Sequence, residues 1–119
     1  MDLKTIMELN KFVVVGNTLN EEHYAYKIKQ ALLQKGYNVQ CVYKELKSID
    51  EVSFDIDCLD LCINPIKGLE ILKNASKPFK VVVLQPGSES DEIISYLESK
   101  NIPFIKGCLL VGISLYKNN

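Results

Sequence analysis

The chain has 119 residues, a formal net charge of −1, 47% hydrophobic residues and 24% charged residues. This length and composition predict one ordinary globular domain that spans residues 1–119. The near-neutral charge argues against a general nucleic-acid-binding protein, which would usually be basic, but it allows a small anionic ligand in a locally positive pocket. No apolar run approaches the roughly 20 residues of a membrane span, and the N-terminus lacks a signal-peptide pattern, so we expect a cytoplasmic protein without a membrane partner.

The hydrophobic pattern predicts helices and strands in alternation. In chain order, the predicted elements are a short helix at 3–9, a strand at 12–15, a helix at 21–35, a strand at 38–43, one helical turn at 48–52, a strand at 56–63, a helix at 68–75, a strand at 80–84, a helix at 89–100, a strand at 102–105 and a final turn or edge segment at 109–115. Asn20 is the predicted N-cap of the first long helix, and Pro65 is predicted to mark a turn. Strands and helices that alternate through short loops predict a three-layer α/β, Rossmann-like domain with a mostly parallel sheet of about five strands.

The four cysteines are Cys41, Cys58, Cys62 and Cys108, and His23 is the single histidine. A zinc site would need closely spaced cysteine and histidine ligands, so we predict no metal. Cys58 and Cys62 lie four residues apart in one predicted strand. They should therefore share a face but be separated by roughly 13 Å, too far for a disulfide bond, and we expect both to be reduced.

The loop after the first strand, Gly16-Asn17-Thr18, is the first candidate binding site. Glycine allows a tight turn, and the following N–H groups could cradle a phosphate at the start of a helix. The loop lacks the G-x-G-x-x-G pattern, and no acidic residue ends the second strand, so NAD binding is disfavoured. A tight turn without a ligand is the alternative interpretation.

Further polar and basic residues follow the other strands, and the carboxyl ends of parallel strands meet at one edge of the sheet. No catalytic triad or carboxylate pair can be recognised, so we predict a binding protein rather than an enzyme. Cys108 could present a thiol to the same edge, although a packing role is favoured. The additional candidate binding residues are Tyr26 and Lys27 on the first long helix, Lys44 after the second strand, Asn64 and Pro65 after the third, and Gln85 and Gly87 after the fourth.

Several of these segments together resemble a known family, the small stand-alone coenzyme A-binding proteins. The same Rossmann-like domain forms the nucleotide-binding part of succinyl-coenzyme A synthetase. The resemblance runs from about Leu9 to Gly112 and is carried by Val13–Gly16, Tyr26–Ile28, Leu32–Val39, Asp57–Leu61, and Leu84–Gly87 through Cys108.

The resemblance implies a protein that binds coenzyme A, or an acyl-coenzyme A, without catalysis of its own. It implies phosphate binding by Gly16, Asn17 and Thr18, an aromatic–basic pair at Tyr26 and Lys27, a basic residue near the adenosine 3′-phosphate at Lys44, and a ligand-facing turn at Asn64 and Pro65. A regulatory or protein-interaction module with a degenerate pocket, and a thiol enzyme that uses Cys108, remain as alternatives. No protein partner is indicated.

The chain departs from the family pattern at three places. Ile63 stands where the family usually has an arginine, Lys44–Ile56 is shorter than the family's segment, and Gly112 stands where the family has an acidic residue. Without the arginine, the site lacks a strong hydrogen-bond donor to phosphate. One such contact contributes roughly 1.5–3 kcal/mol, so we expect weaker binding than is usual in the family.

Overall fold

The computed structural model describes residues 1–117 and contains five parallel strands in the order β2-β1-β3-β4-β5. This confirms the predicted α/β, Rossmann-like fold. The strands are β1 (Lys11–Gly16), β2 (Asn38–Tyr43), β3 (Ile56–Leu61), β4 (Phe79–Leu84) and β5 (Phe104–Lys106). The helices are α1 (Leu3–Ile6), α2 (Tyr24–Gln34), α3 (Pro65–Lys73), α4 (Asp91–Ser99) and α5 (Leu109–Tyr116), with a 3-10 turn at Ile49–Glu51.

The central strands are buried on both faces because helices cover the sheet from both sides. The runs Val13–Val15 and Val81–Val83 are fully buried, as β-branched residues in a doubly covered parallel sheet should be. One face packs against α1, α2 and α5, and the other packs against α3 and α4. Burying each valine side chain contributes about 1.5–3 kcal/mol, so these two strands anchor the core.

The strand order places a crevice at the ends of β1 and β3. Strand β1 pairs with β2 on one side and with β3 on the other. The connection from β1 to β2 therefore runs toward one edge of the sheet, and the connection from β2 to β3 crosses over β1 toward the other edge. In open parallel sheets, ligands bind at such a switch point, outside the carboxyl ends of the strands.

Helix α2 begins three residues later than predicted because its predicted cap is used by a preceding turn. The Asn20 carbonyl accepts a hydrogen bond from the His23 N–H at 3.0 Å, and its Oδ1 accepts one from the Glu22 N–H at 3.0 Å. His23 becomes the N-cap residue, and the helix starts at Tyr24. An asparagine can close a local turn as readily as it can cap a helix.

Several other boundaries differ from the predictions, and two of these differences change the element to which a residue belongs. Pro65 is the first residue of α3 rather than a turn residue, and Asn64 caps that helix through its side chain. Residues Leu109–Tyr116, predicted as a turn or an edge segment, form α5, which packs against α1 and α2. Although α5 is strongly apolar, no helix within residues 1–117 combines the length and apolar character needed to cross a membrane.

Candidate functional site

Gly16 closes the turn at the end of β1. A Cβ atom at this position would overlap the carbonyl oxygen of Cys62 and would lie 2.8 Å from the Cβ of Ala25. The ends of β1 and β3 and the start of α2 therefore meet around a residue that has no room for a side chain. This close packing accounts for a glycine at position 16.

The loop that follows Gly16 is held by its own hydrogen bonds. The Thr18 N–H donates to the Gly16 carbonyl at 3.1 Å, and Asn17 Oδ1 accepts from the Leu19 N–H at 3.2 Å. The Thr18 side chain is only 1% exposed, and its hydroxyl donates to Glu45 Oε2 at 2.5 Å. The loop is preorganised, but the Thr18 hydroxyl already has a partner.

Glu45 links this loop to the segment after β2. Its carboxylate accepts hydrogen bonds from the Thr18 hydroxyl and from Lys29 Nζ, the latter at 2.9 Å. Burial alone would raise the pKa of Glu45, but the bonds from Thr18 and Lys29 outweigh it, and the pKa is lowered overall. The sequence analysis missed Glu45, since nothing in the local pattern shows that it reaches Thr18.

The N-terminus of α2 faces the same edge of the sheet. The first N–H groups of a helix have no acceptor within the helix, and the His23 side chain makes no capping hydrogen bond to them. The unbonded N–H groups at a helix N-terminus carry a partial positive charge of about half an elementary charge. Lys27 Nζ lies 5.3 Å from the ring centroid of Tyr24, which is 62% exposed, while Tyr26 is half-buried on the same helix.

Lys44 extends this edge beyond β2. It is exposed, and its Nζ lies 5.0 Å from the ring centroid of Tyr43. Tyr43 has a φ of +112°, which side-chain-bearing residues rarely adopt. The Tyr43 N–H donates to the Leu46 carbonyl at 2.7 Å, so a tight turn imposes this conformation. Such strain is typical of functional sites, although it can also serve a turn alone.

The loops after β3 and β4 are tied together. The Ile63 N–H donates to Ser88 Oγ at 3.1 Å, and Asn64 Oδ1 accepts from the Lys67 N–H at 2.9 Å. The Asn64 oxygen and the Pro65 ring thus serve the start of α3. Gly87 has a φ of +91°, which accounts for a glycine in the turn after β4.

Gly112, where the family has an acidic residue, lies against α1. A Cβ atom at Gly112 would lie 2.8 Å from Met7 Sδ and 3.3 Å from Leu3 Cδ2. A side chain at this position would therefore require the Met7 side chain to shift.

A cavity of about 200 Å³ opens at the same edge and is lined by Tyr24, Cys62, Gln85, Pro86 and Cys108. Gln85 is almost fully buried, and its Oε1 accepts a hydrogen bond from the Leu109 N–H at 2.9 Å, which fixes the start of α5. Cys62 and Tyr24 were not proposed as site residues from the sequence. Their positions directly after β3 and at the first residue of α2 become informative only once those boundaries are known.

The four cysteines are free, as expected for Cys58 and Cys62. These two pack on the same face of the sheet, but β3 ends at Leu61, so Cys62 lies just beyond the strand in which it was predicted. Burial raises the pKa of Cys62 to about 12 and that of Cys58 well above its usual value. Nearby Asp60 adds to both shifts. Asp60 is fully buried, and within residues 1–117 neither of its carboxyl oxygens has a hydrogen-bond partner, so burial also raises its pKa strongly.

The predicted site residues do gather at one edge, in keeping with the parallel topology. Three exposed apolar side chains, Leu19, Tyr24 and Ile66, lie at the same edge on the segments after β1 and β3. In the part of the chain that the structure describes, no cluster of three or more His, Cys, Asp or Glu side chains could hold a metal ion. The edge thus offers backbone N–H groups, two lysines and apolar surface.

Comparison with known proteins identifies the family of this chain. A conserved hypothetical protein from Pyrococcus furiosus has a TM-score of 0.75 at 28% identity over 87% of this chain and 98% of that one. A protein from Thermus thermophilus has a TM-score of 0.79 at 20% identity, over 96% of this chain and 98% of that one, and shows the fold alone.

A curated relative is known only as an uncharacterised protein of Methanocaldococcus jannaschii. It is 30% identical over 104 residues, which are 86% of this chain but 18% of that protein. The chain therefore spans about a fifth of the length of this relative. The model of the CoA binding domain matches residues 10–114. The chain belongs to the CoA-binding domain family.

Proposed function

We propose that this protein binds coenzyme A or an acyl-coenzyme A at the carboxyl edge of its sheet, with the phosphates at Gly16–Thr18, and that it does so without catalysis of its own. The observation that carries the proposal is the closed turn at Gly16, which lies within the region that the family model matches. That turn brings backbone N–H groups and the N-terminus of α2 to one point, and such points bind anions.

The chemistry of the edge matches the parts of coenzyme A. Its phosphates need N–H donors and cations, which the start of α2, Lys27 and Lys44 supply. Its adenine and pantetheine groups need apolar contacts. Leu19 and Tyr24 expose large apolar side chains on the segment after β1, and Ile66 exposes one at the start of α3. Isolated apolar side chains are ordinary on a surface, but their position at the carboxyl edge supports the proposal.

Three features oppose tight binding. The Ile63 side chain has no donor where the family usually has an arginine. The Thr18 N–H is bonded to the Gly16 carbonyl, and the Thr18 hydroxyl is bonded to Glu45. These three features favour the second candidate function, a regulatory module whose nucleotide pocket has become degenerate. The two candidates differ in whether coenzyme A binds at all.

Calorimetric titration with coenzyme A separates them. We expect binding to the unmodified protein, a loss of about tenfold in affinity for each of Lys27→Ala and Lys44→Ala, and a larger loss in the double variant, because each removes a charge-assisted contact. Affinity should also fall as salt rises. Lys73→Ala is the matched control, because Lys73 is exposed at the far end of α3.

Unchanged affinity in the double lysine variant would contradict the proposed placement of the phosphates. An absence of binding at millimolar coenzyme A would favour the degenerate module instead.

A further inference from the structure

Two free thiols border one small cavity. Cys62 and Cys108 are both partly exposed, and both line the cavity of about 200 Å³ at the carboxyl edge. The remaining lining residues are Tyr24, Gln85 and Pro86. None of these three has a thiol, an amine or a carboxylate, so the two sulfur atoms are the reactive groups of the cavity.

Gln85 holds the two cysteine-bearing segments in place. Its N–H donates to the carbonyl of Leu61, the residue before Cys62, at 3.1 Å. Its Oε1 accepts from the N–H of Leu109, the residue after Cys108, at 2.9 Å. Gln85, which is nearly buried, therefore bonds to the neighbours of both cysteines, once through its backbone N–H and once through its side chain.

The other two cysteines are placed differently. Cys41 and Cys58 are buried, and neither borders this cavity. A small molecule that enters the cavity therefore meets Cys62 and Cys108 together and meets no other thiol of the chain there.

We propose that Cys62 and Cys108 form a dithiol site that reduces low-molecular-weight disulfides entering the cavity and is itself converted to an intramolecular disulfide. In the first step, the Cys108 thiolate attacks one sulfur of the small disulfide, a mixed disulfide forms, and one small thiolate leaves. In the second step, the Cys62 sulfur loses its proton to solvent and attacks the Cys108 sulfur, and the second small thiolate leaves. The protein loses two electrons and the small disulfide gains them, so two small thiols are produced.

The roles follow from the surroundings of the two cysteines. Burial raises the pKa of Cys62 to about 12, so Cys62 is the resolving thiol rather than the first to attack. Cys108 is the N-cap residue of α5, and its side chain makes no capping hydrogen bond. Its sulfur therefore has no hydrogen bond to the helix N–H groups that must break before it attacks.

Closing the bond requires a movement at the edge of the sheet. Strand β4 separates β3 from β5, so the segment that carries Cys108 must approach the end of β3. Strand β5 has three residues and lies at the sheet edge. The movement has to break the bond from the Gly107 N–H to the Leu84 carbonyl and the bond from the Leu109 N–H to Gln85 Oε1. The inference does not depend on coenzyme A binding.

The test treats the reduced full chain with glutathione disulfide and follows the products by intact mass and peptide mapping. We expect the unmodified protein to lose two hydrogen atoms, to contain a Cys62–Cys108 link and to release two glutathione molecules for each link. Cys62→Ser should stop at one glutathione attached to Cys108. Cys108→Ser should react at least about tenfold more slowly and form no link.

Cys58→Ser is the matched control and should react as the unmodified protein does, because Cys58 lies away from the cavity. Circular dichroism confirms that each variant is folded. The proposal is overturned if the unmodified protein ends as a mixed disulfide without the link, or if Cys62→Ser reaches the same final product.

Discussion

Replacing Gly16 by alanine is expected to lower the free energy of unfolding by about 1–3 kcal/mol, the usual effect of forcing extra volume into a packed site. The new Cβ atom would overlap the Cys62 carbonyl oxygen and press on the Ala25 side chain. The Cys62 N–H donates to the Val15 carbonyl at 2.9 Å, so the backbone there cannot retreat without weakening the pairing of β1 with β3. Urea denaturation measures the loss.

Gly107→Ala is the matched control, because the nearest atom to its Cβ would be Leu3 Cδ1 at an ordinary 3.7 Å. It should change stability by less than about 0.5 kcal/mol. If Gly16→Ala is as stable as the control, the ends of β1 and β3 have more room than the structure gives them.

Replacing Asp60 by asparagine is expected to make the protein more stable than the unmodified chain as the pH rises. Asp60 is fully buried without a partner, and burial raises its pKa well above that of the unfolded chain. The folded state therefore keeps a proton that the unfolded state releases. The stabilisation is complete below the unfolded pKa of about 4, and it is lost as the pH rises toward the folded pKa.

Urea denaturation at several values between about pH 4 and about pH 8 tests this. The stability difference between Asp60→Asn and the unmodified protein should grow by up to about 1.4 kcal/mol per pH unit. Asp57→Asn, on the same strand, should show the opposite sign, with its change confined to pH values below about 5, so its profile is extended to about pH 2. Although burial opposes it, hydrogen bonds from Lys80, Lys11 and Asn10 lower the pKa of Asp57 overall. Parallel pH profiles for Asp60→Asn and the unmodified protein would contradict the assignment.

The sheet could be predicted from the sequence because β1 and β4 contain β-branched runs and amphipathic segments alternate with the strands. The predicted bounds of β2 match the observed Asn38–Tyr43, and those of β4 differ by one residue at the start. Helix α5 was missed because its residues are apolar almost throughout, which removes the periodicity that distinguishes a helix from a strand. The start of α2 was misplaced because Asn20 serves a turn instead of the helix.

The gathering of the candidate residues at one edge could be predicted, but their contacts could not. Parallel topology sends every strand end to one edge, so Gly16, Lys44 and Gln85 were expected there. The bond from Thr18 to Glu45 and the shared cavity of Cys62 and Cys108 join residues far apart in the sequence. Contacts between residues that are distant in the sequence cannot be predicted from the local sequence pattern.

A titration of the uniformly 15N-labelled protein with coenzyme A, followed by the amide signals in NMR spectra, tests the proposed function most directly. We expect the largest shifts at the N–H groups of Gly16–Thr18 and Tyr24–Tyr26, because the proposal places the phosphates between that loop and the N-terminus of α2. Dephospho-coenzyme A, which lacks the 3′-phosphate, should shift the same signals and spare that of Lys44. Shifts confined to signals away from this edge, or unchanged spectra at millimolar coenzyme A, would contradict the account.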